Sequence, residues 1–181
     1  TKDFYLVSQK GDKGDKGDTG TVDNTGLISA PAFQSLQTQV NNSAVGTNLL
    51  TGTSSTLQTA IDSQSNTTGG FIHNFSSDEL STIAGNQVTV RAFIHNTTTH
   101  TVNLVMWTNN GGVNVGIDVP AGTDGYSTIT TPSILLGNTI GNITIRAYTE
   151  NVAISGVQYK KLKLEKGRVA TDWCPNPSEI L

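Results

Sequence analysis

Glycine recurs at every third position through Gly11, Gly14, Gly17 and Gly20, in Gly-Asp-Lys, Gly-Asp-Lys and Gly-Asp-Thr triplets. No other feature of the 181-residue chain restricts its folding more. Three polyproline II strands wind together only where the residue at the crowded axis lacks a side chain, and a Gly-x-y repeat meets that demand. The spacing therefore predicts a collagen-like triple helix over residues 10–21, and with it a homotrimer. Lys10 and Asp12, Lys13 and Asp15, and Lys16 and Asp18 set opposite charges two residues apart. Staggered neighbouring chains can pair them, each exposed pair contributing ~0–1 kcal/mol. So short a run without proline is weak alone, and a flexible charged linker has the same composition. Flanking contacts between chains would have to hold the rod.

One such contact follows in sequence. After Pro31, a residue suited to the first helical position, Phe33, Leu36 and Val40 are spaced three and then four apart with Gln, Ser and Thr between them. This is a short a/d seam, and residues 22–46 are expected to hold a linker and a trimeric helical segment. A helix of so few turns needs partners to stand. The alternative is a single amphipathic helix lying on its own domain. Upstream, Phe4 to Val7 read as the end of a strand, so residues 1–9 are expected to close a preceding domain or to form a linker.

Composition sets the class of the remainder. Thr, Asn and Ser number 27, 16 and 15, charged residues make up only 14%, and the formal charge is −3. That balance favours strands and turns over surface helices and speaks against a broad electrostatic grip on nucleic acid. No apolar run approaches the ~20 residues of a membrane-spanning helix, so no membrane insertion is expected. The lone Cys174 excludes an internal disulfide framework. From residue 47 onward the period is two, with strands expected over 87–96, 101–109, 113–119, 126–134, 142–151 and 157–165. Phe71 and Ile72 suggest a further strand, and Asp78 to Ile83 a helical turn. Short strands joined by turns without intervening helices describe an antiparallel β-sandwich of jelly-roll type, or a small barrel, over 47–181.

Alternation gives each strand two faces. Val88, Val90, Ile94, Leu104, Met106, Ile143 and Ile145, joined by Leu162 and Leu164, are expected to form the core. The opposite faces carry Arg91, Phe93 and His95, then Asn103, Trp107 and Asn109, then Arg146, Tyr148 and Glu150. If the three strands share a sheet, Arg91, Phe93, His95, Trp107, Asn109, Arg146 and Tyr148 form one saccharide-binding surface. There a flat ring packs on the C–H face of a pyranose and planar polar groups bond its hydroxyls. The alternative is that these rings complete a second core layer. The basic run Lys160, Lys161, Lys163, Lys166 and Arg168 reads as the solvated side of the last strand. Histidines occur only at 73, 95 and 100 and in no hydrolase or zinc motif. No carboxylate pair is singled out by its spacing, so neither catalysis, nor a metal, nor a cofactor is expected.

The ending from Tyr159 to Glu179 resembles the closing strand and tail of carbohydrate-binding-type modules in tail, baseplate and neck proteins of phages that infect Gram-positive bacteria. Its distinctive parts are Leu164-Glu-Lys-Gly and Ala170-Thr-Asp-Trp173, and Asn48-Leu-Leu-Thr-Gly52 resembles the usual start of that module. Collagen-like triplets upstream are common in the same setting, often after a domain similar to that of upper baseplate proteins. Cys174 and the brevity of the Gly-x-y run depart from the pattern. The resemblance implies a virion protein acting outside the cell at the host surface, trimeric and in contact with other virion proteins. Its heads would bind host cell-wall polysaccharide or teichoic acid without cleaving it. Binding residues vary among such modules, so none is carried over by motif.

Overall fold

The computed structural model describes residues 11–15, 26, 29–42, 46–108, 112–132 and 141–180. The chain divides into two compact units, 1–37 and 38–181. In the first, Gly11 to Asp15 are exposed and without regular secondary structure, while Gly17 and Gly20 lie outside the described residues. A methyl group built on Gly11 or Gly14 meets nothing within 4 Å, so any steric demand for glycine there must come from other chains. A helix does occupy Pro31–Asn42, opening on its proline. Phe33 and Leu36 on it are 37% and 57% exposed, and the side chain of Val40 lies outside the described ones. Among the described residues no helix is long and apolar enough to cross a membrane.

The second unit is mainly β. Its strands are β1 (Gln58–Thr59), β2 (Phe71–Asn74), β3 (Val88–His95), β4 (Asn103–Thr108), β5 (Gly112–Val115), β6 (Asp124–Thr130), β7 (Asn142–Arg146) and β8 (Gln158–Lys166). A two-turn helix, Ser77–Ile83, is opened by a capping box in which Ser76 and Glu79 satisfy each other's backbone N–H groups. The strands form two four-stranded antiparallel sheets, ordered β1-β8-β3-β6 and β2-β7-β4-β5, an arrangement consistent with a β-sandwich. Every residue expected in the core is there: Val88, Val90, Ile94, Leu104, Met106, Ile143, Ile145, Leu162 and Leu164 are all at most 2% exposed and share one cluster.

β3 does not lie beside β4 and β7, contrary to the expectation that the three share a sheet. It pairs with β6 and β8, whereas β4 and β7 pair in the other sheet. The link after His95 is an arch between sheets rather than a hairpin turn, and buried Asn96 holds it. Its Nδ2 donates to the carbonyls of His100 at 2.8 Å and Val119 at 3.0 Å, while its Oδ1 accepts from the Thr98 N–H at 3.0 Å. A side chain that caps the backbone in this way bends a polar loop without glycine or proline. The chain crosses between sheets again after β5, where Gly116 N–H donates to Leu104 of β4 and Ile117 N–H to Thr128 of β6.

In β8 the alternation changes phase. Arg91 pairs with Lys163 but Phe93 pairs with Lys160, so one extra residue sits in β8, and Lys161 takes a left-handed φ of 57° there. Continuing the alternation of Leu164 and Leu162 would turn Lys160 into the core. The bulge instead sends Lys160 outward over the Phe93 ring, 4.8 Å away, and lets Tyr159 pack against the core.

The two segments that carry the family resemblance meet in space. Buried Asn48 receives the Leu164 N–H on its Oδ1 at 3.2 Å and donates through Nδ2 to the Cys174 carbonyl at 3.1 Å. Trp173 Nε1 donates to Thr53 Oγ1 at 3.2 Å, and Asn176 Nδ2 to the Asn48 carbonyl at 3.0 Å. Beneath this tail the expectation of a solvated basic strand face fails at Lys163, which is 2% exposed. Its ammonium donates to Thr171 Oγ1 and the Asp172 carbonyl and lies 3.5 Å from the Glu165 carboxylate. Gly46 passes so close to Glu165 that a Cβ there would collide with the carboxylate.

Candidate functional site

Directly paired strand residues share a face, and this places the outer surface of the β2-β7-β4-β5 sheet. Asn103 of β4 faces Arg146 of β7, Val105 faces Thr144, Phe71 of β2 also faces Thr144, and Trp107 faces Val113 of β5. Trp107, Arg146 and Phe71 therefore come to one face from three strands. They line a cleft of about 340 Å³ with Thr67, Gly141 and Asn142. The volume falls in the ~300–1,000 Å³ range of small-molecule sites.

The floor of this region is a polar second layer. Val105, Thr144 and Arg146 are each at most 1% exposed although they point away from the core. Thr144 Oγ1 donates to the Val105 carbonyl at 3.1 Å and accepts from Arg146 Nε at 3.0 Å, fixing the guanidinium. That guanidinium lies over the Trp107 ring at 4.4 Å, a cation–π contact that also holds the indole. Nη1 of Arg146 has no hydrogen-bond partner among the described residues. Burial lowers the Arg146 pKa from its usual value. Phe71 and Trp107 remain half-buried and offer aromatic surface to a ligand in the cleft, whose lining the buried Arg146 shares.

The rest of the expected surface lies elsewhere. Arg91, Phe93 and His95 belong to the outer face of the β1-β8-β3-β6 sheet, because β3 joined that sheet. There Arg91 stacks on Tyr126 at 3.8 Å, Phe93 meets the same ring edge-on at 5.4 Å, and Lys160 covers Phe93. These rings and cations satisfy one another. His95 Nδ1 lies 2.5 Å from Asp124, and His100 Nδ1 lies 2.5 Å from Glu150. The Glu150 pKa is lowered by the hydrogen bonds from His100 and from the Thr101 N–H. The two histidines thus face separate carboxylates, and no group of three or more metal-ligating side chains occurs among the described residues. Tyr148 sits in the turn beyond the end of β7, half-buried, and Asn109 lies outside the described residues.

Phe71 and Asn142 were not singled out from sequence. A signal for Phe71 was present in Gly69-Gly70 just before it. Gly70 has φ +73°, its carbonyl accepts from the Ile145 N–H at 2.8 Å, and a Cβ there would lie 2.3 Å from the Ile145 carbonyl oxygen. Adjacent glycines ahead of an apolar pair mark close backbone approach, which here seats β2 against β7.

No protein-family model, curated protein or solved structure matches the chain. What the cleft can do follows from its own chemistry: a held indole for stacking, a second ring from Phe71, neutral polar groups on Thr67 and Asn142, and a fixed guanidinium.

Proposed function

We propose that the chain is a non-enzymatic fibre component of a phage virion whose heads bind host cell-wall saccharide. In this reading a collagen-like stalk over 10–21 and a trimeric helix within 22–46 present three β-sandwich heads of jelly-roll type over 47–181. The observation that carries the binding function is the Trp107–Arg146 cleft, in which a ring for stacking on a pyranose stands beside polar groups able to bond its hydroxyls. The resemblance of the Leu164–Trp173 region to phage carbohydrate-binding-type modules supports the setting. The exposed Phe33 and Leu36 on the helix support the trimer. Three heads on one stalk raise a weak single-site affinity, because the first contact concentrates the others at the wall.

Trp107→Ala is expected to lower saccharide binding at each site by ~1–3 kcal/mol, about 5- to 150-fold, and to cost less stability than truncating a core side chain. A glycan array with the full chain, followed by calorimetry on the glycan that binds, measures the loss. If the variant instead melts as a core mutant, Trp107 is structural. Light scattering of the full chain is expected to give three times 19.1 kDa. Gly14→Ala should loosen the stalk locally, because a methyl group has no room at a triple-helix axis. A concentration-independent monomer mass refutes the trimer.

A second reading, a trimerising or docking module for another virion protein without a sugar site, draws on the edge strand β5. Val113 and Val115 there, with Ile117 just beyond, are 37%, 39% and 63% exposed. A chain that binds no glycan on the array favours it.

A further inference from the structure

Arg146 carries a charge with no counter-charge among the described residues. It is 1% exposed, and none of the ion pairs among the described residues includes it. Its Nε is satisfied by Thr144 Oγ1, and Nη1 is left without a partner. Arginine stays protonated at any ordinary pH, so the cost of burying this cation cannot be relieved by losing the proton. The Trp107 face offsets part of that cost but supplies no acceptor in the guanidinium plane.

None of the described residues lining the cleft is acidic, so none of them repels an anion. Thr67 and Asn142 add neutral donors. A neutral hydroxyl could bond Nη1 but would leave the charge uncompensated, whereas a carboxylate or phosphate oxygen does both. The cations of the opposite sheet provide the contrast. Lys163 is buried with Glu165 beside it, and Arg91 is a quarter exposed and reaches Asp172. Of the two buried cations among the described residues, Lys163 has a carboxylate beside it and Arg146 has none.

We infer that the cleft selects an acidic saccharide: a sugar ring stacks on Trp107 while an anionic oxygen group on it, carboxylate or phosphate, binds Arg146 Nη1. This rests on the reading of the cleft as a saccharide site and names the chemistry of its ligand.

The test uses the full chain and three matched probes: a neutral hexose trisaccharide, the same trisaccharide ending in a uronate, and the same trisaccharide bearing a 6-phosphate. Titration followed by Trp fluorescence is expected to show at least tenfold tighter binding of one or both charged probes than of the neutral one. The arm that binds tighter identifies carboxylate or phosphate as the source. Arg146→Gln should bring the charged probes down to the affinity of the neutral one, and Arg146→Lys should restore part of the preference. Methyl esterification of the uronate removes its charge without touching the protein, so in the unaltered chain it must abolish any preference for that probe. Equal binding of all three probes, or a preference that survives both Arg146→Gln and esterification, overturns the acidic ligand and leaves a saccharide site standing. Absence of binding to all three, with Trp107→Ala equally silent on a glycan array, overturns the saccharide site as well.

Discussion

Replacing Glu165 with Ala is expected to destabilise the head by ~3–5 kcal/mol, the cost of leaving a buried charge without its partner. Lys163 and Glu165 are 2% and 1% exposed, with 3.5 Å between ammonium and carboxylate. Thr171 completes the network by donating its N–H and Oγ1 to Glu165 at 2.7 and 2.6 Å. Without the carboxylate, Lys163 keeps only Thr171 Oγ1 and the Asp172 carbonyl, and the tail that carries both loses two hydrogen bonds. Urea unfolding of the full chain, followed by tryptophan fluorescence, measures the loss. The paired change Lys163→Met with Glu165→Leu should cost less than Glu165→Ala alone, since it removes both charges together. A change in stability below about 0.5 kcal/mol for Glu165→Ala would return this strand face to the solvated surface expected from its lysines.

Ile145→Ala is expected to cost ~2–5 kcal/mol, the range for truncating a large aliphatic side chain in a packed core. Ile145 is 1% exposed, stands opposite Leu104 across the β4–β7 pair, and lies in the cluster shared by both sheets. Its N–H bonds the Gly70 carbonyl, so the substitution tests packing while the backbone ladder stays in place. Val169→Ala, at a site 60% exposed, provides the comparison and should fall within about 0.5 kcal/mol of the unaltered chain. Equal stability of the two variants would mean that the inward face of β7 has been assigned to the wrong side.

The contrast between Ile145 and Arg146 shows where sequence reasoning stops. Alternation set Ile145 inward and Arg146 outward, and both placements hold. It could not show that the outward residue is also fully buried, because that depends on what covers the far side of the sheet. Lys163 is the same case: its outward direction is legible from Leu162 and Leu164, but its burial under Thr171 and Asp172 comes from residues eight and nine positions later in the chain. Lys160 is the opposite case. Strict alternation points it inward, and one left-handed residue at Lys161 turns it out.

By itself the sequence determined the two-residue period, the nine core positions, the helix after Pro31 and the existence of β3 to β8, with both ends close only for β3, β4 and β8, because each is written in neighbours along the chain. Side-chain direction in a strand and the preference of Asn, Gly and Thr for turns are local properties. Only the tertiary structure decided which sheet each strand joined. An arch held by Asn96 and a hairpin turn have the same polar composition, and the choice between them rests on carbonyls of His100 and Val119 that the arch itself brings within reach. That choice moved Phe93 away from Trp107, left Arg146 beside it as expected and brought Phe71 to it, so the cleft exists through the order β2-β7-β4-β5, a long-range pairing that no local pattern encodes.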